Sequence, residues 1–489
     1  MIQTQEVELK LEIPSGEIET LRAVPLLGDP KRRPESQRTV YYDTLKGDLR
    51  KAGYSLRLRQ KERSFVQTVK HRGSDSGGFS SRAEWEKKND EAALDFEALK
   101  ATPVGKLLSK RDMRKRLQPV SETRVLRTMW LVRREESAVE LILDEGRIVS
   151  NGREEAISEI ELELKEGPRS ELFKLARELG KGLTLRMGVM SKSERGFRLL
   201  EGRSARVRKA DKVRLAPGMS VGEAFAVVVQ SCLRHFRLNE PLFARDMNAR
   251  ALHQSRVALR RLRSALSLFK PALIDDEAAH LRAELRWYAA LLGEARDVDV
   301  LLAAKGPDGR ASARGARKLL RQARTDAYAR VQAALGEPRL PAAILDLVAW
   351  SEVGAWRSGE PAGEPIAGFA TDRLERGWKR VRRPAKALRS LDPEARHRLR
   401  IEMKKLRYAA EFFVALAPRS RKRQQKRFIS QLQRLQDLLG KLNDIETRRQ
   451  LAPELFEDGA AVEEAQVEGL IEESERAWKA LAEIGPYWR

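Results

Sequence analysis

Glu6, Glu8, Lys10 and Glu12 stand at alternate positions in the run EVELKLEI. On a strand, alternate side chains share a face and lie about 6.5–7 Å apart. Three carboxylates and an ammonium would then point one way, and Val7, Leu9, Leu11 and Ile13 the other. Carboxylates so placed repel unless water, a bound metal or facing cations neutralise them. A second run, SEIELELKEG, repeats the pattern with Glu159, Glu161, Glu163 and Lys165. Between the two come cations at strand spacing. Arg57 and Arg59 alternate with Leu56 and Leu58, Lys70 lies in SFVQTVKHR, and Arg124 and Arg127 precede MWLV. Glu84 and Glu86 flank Trp85, and Asp144 ends LILD. Carboxylate oxygens suit hard divalent cations, and Lys and Arg suit phosphoryl oxygens, Arg often through two bonds at once. The chemistry within reach is the holding of a metal–triphosphate. Taken alone, the first run better suits a half-exposed sheet.

These groups can meet only if their strands close into one barrel, with the polar faces converging on a lumen. The first 200 residues are β-rich, with alternating runs such as TVYYDT, YSLRLRQ, SSRAEWEKK and AVELILDEGRI between Gly/Ser/Asp turns, RGSDSGG at 72–78 among them. Helical pieces are expected near 94–108 and 169–181, and a basic linker over 202–217. From 218 to 489 the pattern is helical, rich in Ala, Leu, Arg and Glu, with flexible connections expected at 306–315 and 359–368. This half contains a duplication, about 218–350 and 365–489. HQSRVALRRLRSALSLF at 253–269 returns as HRLRIEMKKLRYAAEFF at 397–413, and LLGEARDVD at 291–299 returns as LLGKLNDIE at 438–446.

In each copy a histidine leads a row of cations. His253, Arg256, Arg260 and Arg263 fall within an arc of about 80° on a helix, as do His397, Arg400, Lys404 and Arg407. Leu262, Ala265, Leu266 and Phe269, and in the second copy Leu406, Ala409, Ala410 and Phe413, form the opposite, apolar side. Such rows suit a polyanion laid along them, a solvated basic face, or salt bridges to Asp297 and Asp299 and to Asp444 and Glu446. The acidic pairs could instead hold a divalent ion.

The chain has 489 residues and a net charge of +24. Residues 1–200 carry 40 Lys+Arg against 33 Asp+Glu, and residues 201–489 carry 55 against 38, so the excess lies mainly in the helical half. A field of that sign attracts nucleic acid, anionic lipid or polyphosphate. Mean hydropathy is −0.52, and no apolar run approaches membrane-spanning length. The single cysteine, Cys232, excludes an intramolecular disulfide and a multi-cysteine zinc site, and a reducing, cytoplasmic setting is expected.

The order EVELK, RLR, TVK, RAEWE, LDEG, EIELEL, MSKSERG over residues 1–201 resembles the CYTH family, the triphosphate tunnel metalloenzymes. The helical half, 218–489, resembles the CHAD domain through HQSRVALRRLRS, LLGEARDVDVL, HRLRIEMKKLRY and LLGKLND. The resemblance implies an α+β, two-domain chain: an eight-stranded antiparallel β-tunnel with flanking helices, then an all-α pair of pseudo-symmetric four-helix bundles. It implies a bacterial inorganic triphosphatase type that uses Mg2+ or Mn2+ and hydrolyses tripolyphosphate to diphosphate and phosphate. Glu6, Glu8, Asp144, Glu161 and Glu163 match the metal-binding acids. Lys10, Arg57, Arg59, Lys70, Arg127 and Lys192, with Arg124 beside them, match the cations that grip triphosphate; Lys70, Arg57 and Arg59 are the catalytic candidates. The two rows, His253 to Arg263 and His397 to Arg407, match a surface for long-chain polyphosphate. Many family members carry a base two positions after the first lysine, where this chain has Glu12.

Phosphoryl transfer asks mainly for positioning and charge neutralisation. Lys70, Arg57 and Arg59 are expected to stabilise charge on the transferring phosphoryl group and its leaving group. The rival readings are a thiamine triphosphatase, a class IV adenylate cyclase-like enzyme, and a non-enzymatic scaffold for polyphosphate or nucleic acid. Every catalytic candidate lies in 1–201, so the two halves are expected to work separately.

Overall fold

The computed structural model describes residues 1–28, 32–61, 64–71, 77–202, 206–303, 311–451 and 460–489. Most of the turn expected at 72–78, residues 306–310 of the expected connection and residues 203–205 of the linker lie outside the described residues.

Eight antiparallel strands close into a barrel. They are β1 (Ile2–Glu12), β2 (Glu35–Asp43), β3 (Tyr54–Lys61), β4 (Ser64–His71), β5 (Phe79–Asn89), β6 (Gln118–Arg134), β7 (Ser137–Ser150) and β8 (Arg153–Glu166). The order around the wall is β5-β4-β3-β2-β6-β7-β8-β1, and β1 pairs back with β5. A short ninth strand, β9 (Arg186–Met187), pairs with β1 at Leu11 and Glu12.

Period two decides which residues line the lumen. The even positions of β1 face the odd positions of β8, so Glu8 lies opposite Glu163, Lys10 opposite Glu161 and Glu12 opposite Glu159. Asp144 of β7 pairs with Glu159 on one side and with Arg127 of β6 on the other. Tyr41 of β2 pairs with Arg57, Ser55 of β3 with Lys70, and Lys70 of β4 with Glu84.

Much of the outer face is apolar and covered by helices, although Arg124 and Leu126 of β6 stay exposed on it. Three short helices, α1 (Phe96–Lys100), α2 (Gly105–Leu108) and α3 (Arg111–Arg116), bury Leu99, Val104, Leu108 and Met113 against Leu56, Val69 and Trp85 of the wall. Helix α4 (Ser170–Gly180) buries Leu172, Phe173, Leu175, Ala176 and Leu179 against β1, β7 and β8. Each leucine or phenylalanine among them contributes about 1.5–3 kcal/mol when fully buried. Helix α5 (Lys192–Leu200) packs on β6, β7 and β8, and its start is fixed by Ser191, whose hydroxyl accepts from the Glu194 amide at 3.2 Å.

The helical half comprises α6 (Val221–Arg237), α7 (Ala249–Leu268), α8 (Glu277–Ala303), α9 (Ala311–Gly336), α10 (Arg339–Val353), α11 (Ile366–Lys386), α12 (Pro393–Phe412), α13 (Lys422–Leu451) and α14 (Ala460–Ile484). Two compact units result. One holds Met1–Ala210, Val229–Arg260 and Asp276–Gly354; the other holds Asp211–Val228, Arg261–Asp275 and Ala355–Arg489. In the first, α8, α9 and α10 pack on one another and α10 lies on α4. In the second, α11 packs on α12 and α14, and α13 on α12 and α14, a closed four-helix arrangement. Residues 359–368 are not a flexible connection. Glu360–Gly363 is a helical turn, Ala362 and Ile366 are buried, and the Val221 and Ile366 amides bond to Glu364 and Met219 carbonyls at 2.9 and 3.0 Å. Among the described residues, no helix is long and apolar enough to cross a membrane.

Candidate active site

The barrel lumen is a cavity lined on one side by Glu8, Lys10, Glu161, Glu163 and Lys192, and on the other by Arg57, Arg59, Lys70 and Arg82, with Arg127 between. Two like charges 4 Å apart cost about 4 kcal/mol at an effective dielectric near 20, more than one buried leucine contributes. The carboxylate wall therefore needs its cations. The Lys10 ammonium bonds to Glu161 and lies 3.2 Å from both Glu8 and Glu159. The Lys192 ammonium, from the first residue of α5, meets Glu159, Asp144 at 2.6 Å and Glu161 at 2.9 Å. Arg127 holds Asp144 through two bonds, 2.7 Å from Nε and 2.6 Å from Nη2.

The protonation states follow. Burial pushes the Glu161 carboxyl up, but Lys10, Lys192 and Arg127 outweigh it and hold the group well below the usual carboxylate range. Burial likewise pushes Glu6 up and is overcome by Lys70 and Arg82, which bond to it at 2.6 and 2.8 Å. Glu8 is the exception. Burial pushes its carboxyl up, Lys10 and Arg82 oppose this without cancelling it, and Glu161 and Glu6 add to the rise. Two carboxylate triads have oxygens within 4.8 Å of one another: Glu6, Glu8 and Glu163, and Asp144, Glu159 and Glu161.

On the opposite wall, Lys70 also lies 3.2 Å from Glu84, and Arg57 bonds to Glu84 at 3.3 Å. Arg59 makes no hydrogen bond or ion pair among the described residues. Its guanidinium is pulled down to about 10, first by burial and then by the charges of Arg57 and Arg127.

The structure thus brings together Glu6, Glu8, Lys10, Arg57, Arg59, Lys70, Arg127, Asp144, Glu161, Glu163 and Lys192. It does not bring Arg124 to them. Arg124 is three residues from Arg127, an odd step on a strand, so it lies exposed on the outer face and pairs with Glu122 at 2.5 Å. Sequence reasoning singled out neither Arg82 nor Glu159 as a site residue. Arg82 precedes Glu84 and Glu86 by the same period of two, and Glu159 opens the acidic series on β8, so both signals were present.

The basic rows lie on α7 and α12, with their apolar anchors buried as expected. Arg260, Arg263 and His397 are exposed, while His253, Arg256, Arg400, Lys404 and Arg407 are half-buried. The two copies share a contact: Arg256 lies over Gly293 and Arg400 over Gly440, each 3.6 Å from where a Cβ would stand. Arg256 Nη1 donates to the Gly293 carbonyl and pairs with Asp297, both at 3.3 Å. His253 faces Arg296, and His397 meets Asn443 at the repeated position. Burial, then Arg296, Arg260 and Arg256, push the His253 imidazole below its ordinary value. Asp299 does not neutralise the row: it is buried against Arg324 at 2.8 Å and Tyr328 at 2.9 Å.

Residues 4–197 match the CYTH domain and residues 227–453 the CHAD domain. The inorganic triphosphatase of Haemophilus influenzae is 31% identical over 201 residues, 40% of this chain and 56% of that protein, so the chain spans little more than half of that relative's length. Among solved structures, the CHAD domain from the plant Ricinus communis is 29% identical, covering 58% of this chain and 94% of that one, with a TM-score of 0.44. A putative adenylyl cyclase, HpAC1 from Hippeastrum, described as having a dominant triphosphatase activity, is 22% identical over 41% of this chain and 97% of its own, with a TM-score of 0.31. The chain is therefore a CYTH domain followed by a CHAD domain.

Proposed function

We propose that the barrel is a metal-dependent inorganic triphosphatase that hydrolyses tripolyphosphate to diphosphate and phosphate. The observation that carries this reading is Arg59, a lumen guanidinium with no direct ion pair among the described residues, flanked by Arg57 and Arg127, whose repulsion outweighs the charge of Glu86. A multiply charged anion bound between these walls would supply further counter-charge.

The donor set fits a hard divalent cation such as Mg2+ or Mn2+, because both triads offer only carboxylate oxygens. Glu6, Glu8 and Glu163 would hold it. Both triads have cations beside them, Lys70, Arg82 and Lys10 at the first and Lys10, Lys192 and Arg127 at the second. At the first, however, the Glu8 carboxyl stays pushed up by burial, whereas the cations hold Asp144, Glu159 and Glu161 below the usual carboxylate range. When bound, the ion supplies Lewis-acid charge neutralisation on the phosphate oxygens. Arg59 and Arg57 grip the anion, and Lys70 stands at the lumen side of β4 to stabilise the transferring phosphoryl group. Lys10 and Lys192 hold the acidic wall in place, each ammonium shared among three carboxylates.

The deciding experiment measures phosphate release from tripolyphosphate, thiamine triphosphate and ATP, with Mg2+, with Mn2+ and with chelator. Tripolyphosphate should be turned over fastest and chelator should abolish release. Faster turnover of either organic triphosphate reassigns the substrate. Lys70→Met should lower kcat by about 10- to 100-fold with a smaller change in KM, since its charge is used chiefly in the transition state. A change confined to KM would make Lys70 a ground-state binding residue.

The CHAD half is proposed to bind long-chain polyphosphate along its basic rows, with nucleic acid the less favoured polyanion and no membrane involved. A cytoplasmic location is consistent with this reading.

A further inference from the structure

Gln230, Arg234 and Arg237 stand at i, i+4 and i+7 on α6, so they share one face of that helix. Gln230 is 3%, Arg234 8% and Arg237 6% exposed. Burying two guanidiniums is costly unless each is paired and bonded; Arg237 pairs with Glu240 of its own half at 2.5 Å, and the remaining partners belong to the barrel. Arg234 donates through Nη1 to the Val189 carbonyl and through Nη2 to Glu194 at 2.8 Å. Arg237 donates to the Met187 carbonyl at 3.1 Å and to Glu12 at 2.8 Å. The Gln230 side-chain oxygen Oε1 accepts from the Gly77 amide at 3.2 Å. A Cβ on Gly77 would stand 2.9 Å from the Gln230 backbone, so only glycine lets the helix approach this closely.

The Arg234 contacts and the Arg237–Met187 contact converge on the strap that runs from β9 into α5, while Gln230 meets Gly77 just before β5 and Arg237 also reaches Glu12 on β1. That strap crosses β1 beside Lys10: the Gly188 amide donates to the Lys10 carbonyl at 2.9 Å, and a Cβ on Gly188 would stand 2.8 Å from the Lys10 side chain. Two residues after the Val189 anchor, Ser191 caps α5, and Lys192 enters the lumen. Arg234 therefore grips the strap on both sides of Lys192, at Val189 and at Glu194.

We infer that Arg234, supported by Gln230 and Arg237, is a positioning residue of the tunnel, through which the CHAD-side helix α6 fixes Lys192 against Glu159 and Glu161. This rests on the tunnel reading proposed above. It also gives Glu12 a role: the acid that replaces the usual base two positions after Lys10 is the docking point for Arg237. On this inference residues 1–201 alone would work less well than the full chain, because the Met187 and Val189 carbonyls and Glu194 would lose these partners.

The test uses the full chain with Arg234→Met, which keeps the stem and removes the donors, and Arg234→Lys, which restores a cation. Arg234→Met should raise hydrogen–deuterium exchange in 187–195 while leaving β2–β4 unchanged, and should lower kcat for tripolyphosphate about tenfold. Arg234→Lys should recover part of both and keeps a buried cation should the methionine variant not fold. In a Lys192→Ala background, Arg234→Met should cost little more, because its effect runs through Lys192. Unchanged exchange in 187–195, or full additivity with Lys192→Ala, overturns the inference. A wild-type chain that releases no phosphate from tripolyphosphate overturns the tunnel reading instead, and the exchange measurement still decides the positioning role.

Discussion

Glu8→Gln is expected to lower Mg2+- or Mn2+-dependent phosphate release from tripolyphosphate by at least about 100-fold. Glu8 lies between Glu6 on its own strand and Glu163 directly across from it, and the three present oxygens within 4.8 Å of one another. Removing one charge from three leaves a site with two anionic ligands for a divalent ion. Glutamine keeps the volume and one acceptor oxygen for Arg82, which bonds to Glu8 at 2.9 Å. The fold should therefore survive, with thermal unfolding within a few degrees of wild type. Raising Mn2+ should recover part of the rate if the loss is one of metal affinity. Release within a few-fold of wild type, at unchanged metal concentration, would remove Glu8 from the metal site.

The barrel was legible because its chemistry repeats with the period of its backbone. Once Glu6, Glu8 and Lys10 alternate with Val7, Leu9 and Leu11, the same rule applies to Arg57 and Arg59, to Glu161 and Glu163, and the faces must converge if the sheet closes. Arg124 shows where the period was not applied strictly enough: a step of three from Arg127 puts it outside. Arg82 and Glu159 obeyed the rule and were passed over: Arg82 stands alone among acids on its strand, and Glu159 opens the same alternating series as Glu161 and Glu163.

The contacts of α6 could not be read this way. Gln230, Arg234 and Arg237 look like ordinary polar residues of an amphipathic helix, and two of the groups they satisfy are backbone carbonyls of a strap 45 and 50 residues earlier. Backbone carbonyls such as those of Met187 and Val189 leave no trace in composition or spacing. The sequence does hold one hint, the acid at position 12 where a base is usual, and its meaning appears only when Arg237 is found beside it.

Reversing part of the first basic row, Arg256→Glu with Arg260→Glu, is expected to weaken binding of long-chain polyphosphate by at least about 100-fold at low salt, and to reduce the salt dependence of log Kd by about two. The row is a surface feature of α7: Arg260 and Arg263 are exposed, and the helix is anchored through buried Leu262, Ala265, Leu266 and Phe269. Arg256 rests on the Gly293 carbonyl, a contact any side chain at 256 can forgo because its bond there is long, at 3.3 Å. The far-ultraviolet spectrum should therefore be unchanged. Single-stranded DNA binders add aromatic platforms on which bases stack. Tyr408, the aromatic residue nearest these rows in sequence, is 1% exposed and covered by Arg261 and Arg407, so no base can reach its face. At equal charge and ionic strength, long-chain polyphosphate should outcompete single-stranded DNA. Preference for DNA, or polyphosphate binding that survives the double reversal, would mean that the row's charge is not the ligand site and that another face of this half carries its excess positive field.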